Sequence, residues 1–179
     1  MTLSIKNLNE AEKVKIVFNG NGGKVGSSSS YSVSVKSGSK LGTLKTAKRQ
    51  GYLFAGWYTK KSGGSKISAS TKATKAVTYY AHWNKATAGS VKVAGIKSKK
   101  QGAFELVIKK TQGAQGYEVA YADNSSMKKA VKKNITSLKY SASKLKSGKT
   151  YYVTVRAYVK DSTGKKVYGK VTKTKVAVK

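Results

Sequence analysis

The chain has 179 residues with no cysteine and no proline, which excludes disulfide staples and thiolate metal sites and leaves turn-making to Gly, Asn and Ser. Lysine and arginine number 37 against 6 acids, a formal net charge of +31, and no apolar run approaches the ~20 residues that span a bilayer. A hydrophobic content of 39% is modest but adequate for small β-rich cores.

Met1 to Lys13 reads as a lead-in or the end of an upstream segment: Leu3, Ile5 and Leu8 are apolar, and Glu10 and Glu12 are two of the six acids. It has no basic start followed by an apolar stretch, so an export signal is not expected here. If the protein is exported, this sequence is expected to be an internal or processed piece. Val14 to Phe18 alternates with period two, a strand signal, and Asn19-Gly20-Asn21-Gly22-Gly23 accepts positive φ, predicting a hairpin turn. Ser29 to Lys36 alternates again, with Tyr31, Val33 and Val35 on one face. Leu41, Leu44 and Ala47 have helical spacing and predict one or two turns of helix. Gly51 to Thr59 is an aromatic strand, Lys66 to Ala69 a brief strand or extended link, and Val77 to Trp83 a closing strand.

Both tryptophans and one phenylalanine lie between Gly51 and Trp83. Rings bury more area than other side chains, so this stretch marks where a core forms. The expected core there is Phe18, Phe54, Trp57 and Trp83.

Asn84 to Ser90 is small and polar and reads as a boundary. Short strands at regular spacing follow, the signature of a sandwich. They are Val91 to Ile96, Ala103 to Ile108, Tyr117 to Tyr121, one or two weaker strands in Val131 to Tyr140, Tyr152 to Val159, and Val167 to Val178, with a hairpin turn at Asp161-Ser162-Thr163-Gly164. The expected core of this half is Phe104, Tyr117, Leu145, Tyr151, Val153 and Val155.

Four motifs in order, Val17 to Gly23, Gly51 to Tyr58, Gly63-Gly64, and Tyr79 to Trp83, make the first half similar to the Listeria–Bacteroides repeat, the internalin-type B-repeat. The similarity covers about Lys13 to Asn84. It implies a small β-grasp-like sheet, used in tandem on bacterial surface proteins as spacer or adhesive module. One departure is the absence of prolines in Leu44 to Arg49, which bears on the rigidity of that connection. The second half resembles a bacterial fibronectin type III domain through Gly116-Tyr117-Glu118-Val119, Leu145 with Gly148 and Tyr151, Val153 to Tyr158, and Tyr168-Gly169. That resemblance places Tyr151 at the tyrosine corner, its hydroxyl bonded to upstream backbone. It also puts Ile108 where the family often has a core tryptophan.

The expected fold is therefore all-β: lead-in 1–13, a β-grasp-like repeat over 14–84, a linker over 85–90 and a fibronectin type III-like sandwich over 91–179. No enzyme activity, metal or cofactor is expected. Ser147-Gly148-Lys149-Thr150 resembles the end of a phosphate-binding loop, but position 143 is Ser where the motif needs Gly, and a strand follows where it needs a helix. His82 has no nucleophile or carboxylate beside it in sequence. Glu105, Glu118, Asp123 and Asp161 are scattered, although Glu105 and Glu118 fall on adjacent predicted strands. Lys–Asn cross-links beside a carboxyl group stay open, and the two Asn-X-Ser/Thr sequons at Asn124 and Asn134 read as chance.

Nearly all the cations are lysine, a hydrated point charge without arginine's bidentate fork. Two readings stand: lysines that fill the outward positions of strands and guard sheet edges, and a diffuse polycation that adheres to anionic polymers without reading sequence. Tyr31, Tyr52, Tyr79, Tyr80, Tyr121, Tyr140 and Tyr168 are either wall residues of the sheets or stacking platforms for sugars or bases. The functional expectation is a non-catalytic extracellular module of a bacterial cell-surface or cell-wall protein. Its partners would be anionic wall polymers, host glycans or proteins, and neighbouring repeats. The alternatives are a subunit of an ordered extracellular assembly, such as a filament, surface layer or phage appendage, and a nonspecific nucleic-acid-binding protein.

Overall fold

The computed structural model describes residues 12–179, so the lead-in residues Leu3, Ile5, Leu8 and Glu10 lie outside the described residues. Among the described residues there are twelve strands and no helix. Contacts divide the chain into two units, Met1–Lys85 with Asp161–Thr163, and Ala86–Lys160 with Gly164–Lys179.

The first unit is built on β1 (Lys13–Asn19), β2 (Ser30–Lys36), β3 (Tyr52–Tyr58) and β4 (Val77–Lys85). They form one sheet in the order β2-β1-β4-β3, with β1 and β4 parallel at its centre and the outer pairs antiparallel. This is a β-grasp-like mixed sheet. Strand β1 shows why it forms: Val14, Ile16 and Phe18 are buried while Lys13 and Lys15 stand in solvent, the two-residue period of a half-covered strand. The parallel pair requires a long crossover between β2 and β3.

That crossover is not the expected helix. Residues 41–49 are irregular, and their backbone bonds to distant segments instead of to itself. Leu41 N–H donates to the Thr71 carbonyl, Gly42 N–H to Ala69, and Lys48 exchanges two bonds with Lys24. Gly42 sits at φ +73°, and a glycine there weakens any helix. Leu41, Leu44 and Ala47 still pack on the core, so their three-residue spacing marked a buried side but not a helix.

The Asn-Gly turn forms with Asn21 at φ 45° and Gly22 at φ 85°, closed by Gly23 N–H donating to Gly20 at 2.8 Å. It does not lead straight into β2. A second tight turn, closed from Val25 to Ser28, comes first and buries Val25 in the core.

The second unit has β5 (Val93–Lys97), β6 (Phe104–Ile108) and β9 (Lys139–Ala142) in one sheet, ordered β5-β6-β9. The other sheet holds β7 (Gly116–Ala122), β8 (Val131–Ile135), β10 (Thr150–Lys160), β11 (Lys166–Tyr168) and β12 (Thr172–Ala177). Its order is β11-β10-β7-β8, with β12 also on β10. Inward residues of β6, namely Phe104, Leu106 and Ile108, meet Tyr117, Val119 and Tyr121 of β7 and Val153 and Val155 of β10 in one core. Each such fully buried apolar side chain stabilises the fold by ~1.5–3 kcal/mol.

Two sequence expectations change here. The last strand is broken at Gly169, whose N–H donates to Ala157 at 2.9 Å. A Cβ there would stand 2.5 Å from the carbonyl oxygens of Ala88 and Gly89, so the backbones meet where only glycine fits. Glu105 and Glu118 are not neighbours, because β6 and β7 belong to opposite sheets. Glu105 pairs with Lys99, and Glu118 with Arg156.

Candidate functional site

The aromatic stretch packs as a chain of rings. Trp57 is 2% exposed and stands edge-on to Phe18 at 5.1 Å and to Phe54 at 5.4 Å. Its Nε1–H donates to the Lys45 carbonyl at 2.8 Å, which satisfies the one polar atom the ring carries inward. Phe54 and Trp83 are half-buried at the core's margin, 5.6 Å apart. The Trp83 N–H is shared between the Gly20 and Asn21 carbonyls, both at 3.1 Å, so this indole covers the Asn-Gly turn. The same turn is tied to β4 by Asn21, whose side-chain amide donates to Ala81 and Lys61.

His82 lies on the other face of β4. It stacks on Tyr58 with ring centres 3.9 Å apart, and its Nε2–H donates to the Lys60 carbonyl at 2.9 Å. A polar depression of about 260 Å3 is bordered by His82, Trp83, Arg49, Tyr52, Lys61 and Ser62. Among the described residues that border it there is no Asp or Glu.

Charge gives the first unit its character. Between Lys13 and Lys85 there are 14 lysines and arginines and no Asp or Glu at all. Several cations face each other across strands and bridges: Lys13 opposite Lys36, Lys24 opposite Lys48, and Lys40 opposite Lys72. Like charges directly opposite are destabilising, so this surface repels itself and attracts anions. Lys45 lies over Tyr31 and Lys61 over Tyr80, which holds ammonium groups against ring faces.

Of the tyrosines weighed as stacking platforms, Tyr79 and Tyr121 are buried, and Tyr31 and Tyr140 pack against the cores. Burial raises the pKa of Tyr31, Tyr79, Tyr140 and Tyr168 above that of a free phenol, and for Tyr140 the Tyr121 hydroxyl adds to the rise. Tyr52 and Tyr168 carry Arg49 and Arg156 on their faces at 3.9 and 3.7 Å.

In the second unit, Phe104, Tyr117, Tyr151, Val153 and Val155 are buried, and Leu145 is half-buried against them. The Tyr151 hydroxyl accepts from Lys146 N–H at 3.1 Å, the tyrosine-corner bond. Beside it opens a cavity of about 730 Å3, bordered by the Asp123–Ala130 loop and by Ser143, Lys144 and Leu145. The sequence reading did not single out Lys128, Lys129 or Lys144, because their meeting depends on two segments that are distant in sequence. Among the described residues no group of three or more His, Cys, Asp or Glu is placed to hold a metal ion.

These features define a class: β-modules with aromatic residues in their cores and an excess of lysine. Residues 15–82 match the family model of the Listeria-Bacteroides repeat domain, so the first unit carries that repeat. The second unit is a fibronectin type III-like sandwich by its three-stranded and four-position sheets and its tyrosine corner. A solved crystal structure titled FN3tt is 16% identical and covers 50% of this chain and 95% of its own, at a TM-score of 0.35. No curated protein matches the chain significantly.

Proposed function

We propose that the chain is a non-catalytic structural and adhesive segment of an extracellular bacterial surface protein. Two modules, over 14–84 and 91–179, act as spacers joined through 85–90, and their lysines hold anionic wall polymers or host glycans. The observation that carries this reading is the acid-free run from Lys13 to Lys85 on a sheet whose core is built on the buried rings of Phe18, Trp57 and Tyr79. Lysines carried on a stretch of chain that contains no carboxylate of its own leave a strong positive potential for an external polyanion. Support for the surface location comes from the repeat match, a module type that the sequence resemblance associates with bacterial surface proteins.

The test is a salt titration of the full chain against teichoic acid, heparin and two DNA duplexes of unrelated sequence. The expected result is binding to all of them at about 50 mM salt that falls steeply by about 500 mM, with the two duplexes indistinguishable. A preference between the duplexes, or binding that ignores salt, contradicts the proposal.

A further inference from the structure

We propose that the cavity at the Asp123–Ala130 loop of the sandwich binds a hydroxylated anion, that is, a sugar or polyol segment bearing phosphate, sulfate or carboxylate. This deepens the adhesive reading and rests on it: a formed pocket would add selectivity to a surface that otherwise holds polyanions by charge alone.

The cavity's volume of about 730 Å3 lies within the ~300–1,000 Å3 of small-ligand sites. Its lining is divided by chemistry. Tyr121, Tyr151 and Leu145 provide an apolar floor, and Lys128, Lys129 and Lys144 bring three ammonium groups. Ser143 adds a hydroxyl and Asp123 is the one carboxylate, while Asn124 and Ser126 are engaged in the loop's own hydrogen bonds. Three cations against one carboxylate leave the site positive. The carboxylate can still accept from ligand hydroxyls, which favours a polyol over a bare inorganic anion. A ring or carbon backbone would lie on the floor while its charged groups reach the lysines.

The backbone supplies a separate observation. Four non-glycine residues among those described have positive φ; two of them line this cavity, Lys129 at 54° and Lys144 at 59°, and a third, Met127 at 56°, lies in the same loop. Glycine or asparagine takes that conformation with less strain. Lysine in its place brings an ammonium group to the rim, and strain of this kind concentrates at functional sites. The loop is held in shape by Asn124. Its Oδ1 accepts from Lys128 N–H at 2.9 Å and from the Ser126 hydroxyl at 2.8 Å, and its Nδ2 donates to the Lys128 carbonyl at 3.0 Å. Below, Tyr151 is fixed by its bond from Lys146. The site is therefore set before a ligand arrives, which lowers the ordering cost of binding.

The experiment measures binding of two labelled probes, a heparin-type tetrasaccharide and a glycerol-phosphate oligomer, to the full chain at about 150 mM salt. The first variant combines Lys128→Gln, Lys129→Asn and Lys144→Asn, with asparagine chosen where φ is positive. A control removes equal charge elsewhere on the sandwich through Lys132→Gln, Lys173→Gln and Lys175→Gln. A third variant, Ser143→Phe, obstructs the cavity without altering charge. Thermal melting checks that each is folded. The expected result is binding of at least one probe that weakens about tenfold or more in the first and third variants and by about twofold in the control. The probe that binds tells whether sulfated sugar or phosphate polyol is the source. Equal losses in the first variant and the control, or unchanged binding in Ser143→Phe, overturn the pocket while leaving diffuse adhesion intact. No binding by the natural chain at this salt also overturns it. Failure at low salt as well would remove the broader reading.

Discussion

Phe54 and Trp57 lie three residues apart on one strand, yet their rings meet in the same core, 5.4 Å apart at 70°. An odd separation should put them on opposite faces. The pairing with β4 explains it. Phe54 faces Trp83, Trp57 faces Ala81, and the register shifts between Phe54 and Gly56. One extra residue on β3 reverses the alternation, so the bulge turns both rings inward. Gly56 makes this possible with φ +126°.

Gly56→Ala is accordingly expected to cost ~1–3 kcal/mol of stability in urea unfolding followed by tryptophan emission. The new Cβ would stand 2.5 Å from Lys66 Cε, near the end of a side chain that can swing away. Backbone strain therefore dominates, and adding Lys66→Ala should recover little. Full recovery by that second change would show that the contact, not the φ angle, matters.

Tyr151→Phe removes the hydroxyl that accepts from Lys146 N–H. Loss of a part-buried hydrogen bond that leaves an amide unpaired costs ~1–3 kcal/mol, read in denaturant unfolding. Lys146→Ala, which keeps the amide, should be close to neutral.

Stability should rise with ionic strength. A net charge of +31, with Lys13 set opposite Lys36 and Lys24 opposite Lys48, makes repulsion the main electrostatic force. Screening by sodium chloride relieves it. Melting temperature is expected to climb between low and moderate salt, by about 4–8 °C for each kcal/mol relieved in a unit of this size. A fall over that range would mean that attractive pairs outweigh the repulsion.

Tyr140 should keep its proton when exposed phenols have lost theirs. Burial and the neighbouring Tyr121 hydroxyl raise its pKa above the ordinary value of 10.0. Below that value the phenol is protonated in folded and unfolded chains alike, and no slope arises. Above it the unfolded chain binds fewer protons than the folded one, so this group's contribution falls as pH rises. Phenolate absorbance should show late-titrating tyrosines, one fewer in Tyr140→Phe than in the natural chain, and that variant should lose less stability than the natural chain above pH 10. Lysine deprotonation acts equally on both proteins and cancels in the comparison.

Much of the architecture was legible in residue order, because alternation in Val14 to Phe18 and in Tyr152 to Val159 follows directly from one covered face. The motifs around Trp57 and Trp83 carried the repeat. What escaped depends on pairing at a distance. The three-residue rhythm of Leu41, Leu44 and Ala47 marked a buried side, but their backbone partners, Thr71, Ala69 and Lys24, are not visible locally. The bulge at Gly56 is hidden because glycine also marks ordinary turns. Glu105 and Glu118 fall on consecutive strands, but the chain changes sheets between β6 and β7, which strand order does not show. Lys128 and Lys144 meet only through the fold, so no short motif announces them.

The account turns on rings being inside and lysines outside. Its most direct test is acrylamide quenching of Trp57 emission in a Trp83→Phe variant, with and without saturating polyanion. Trp57 is expected to be quenched far more slowly than free tryptophan, and binding should leave its rate unchanged. Quenching near the rate of free tryptophan, or a marked slowing when the polyanion binds, would show an accessible indole serving as the binding surface and would contradict the account.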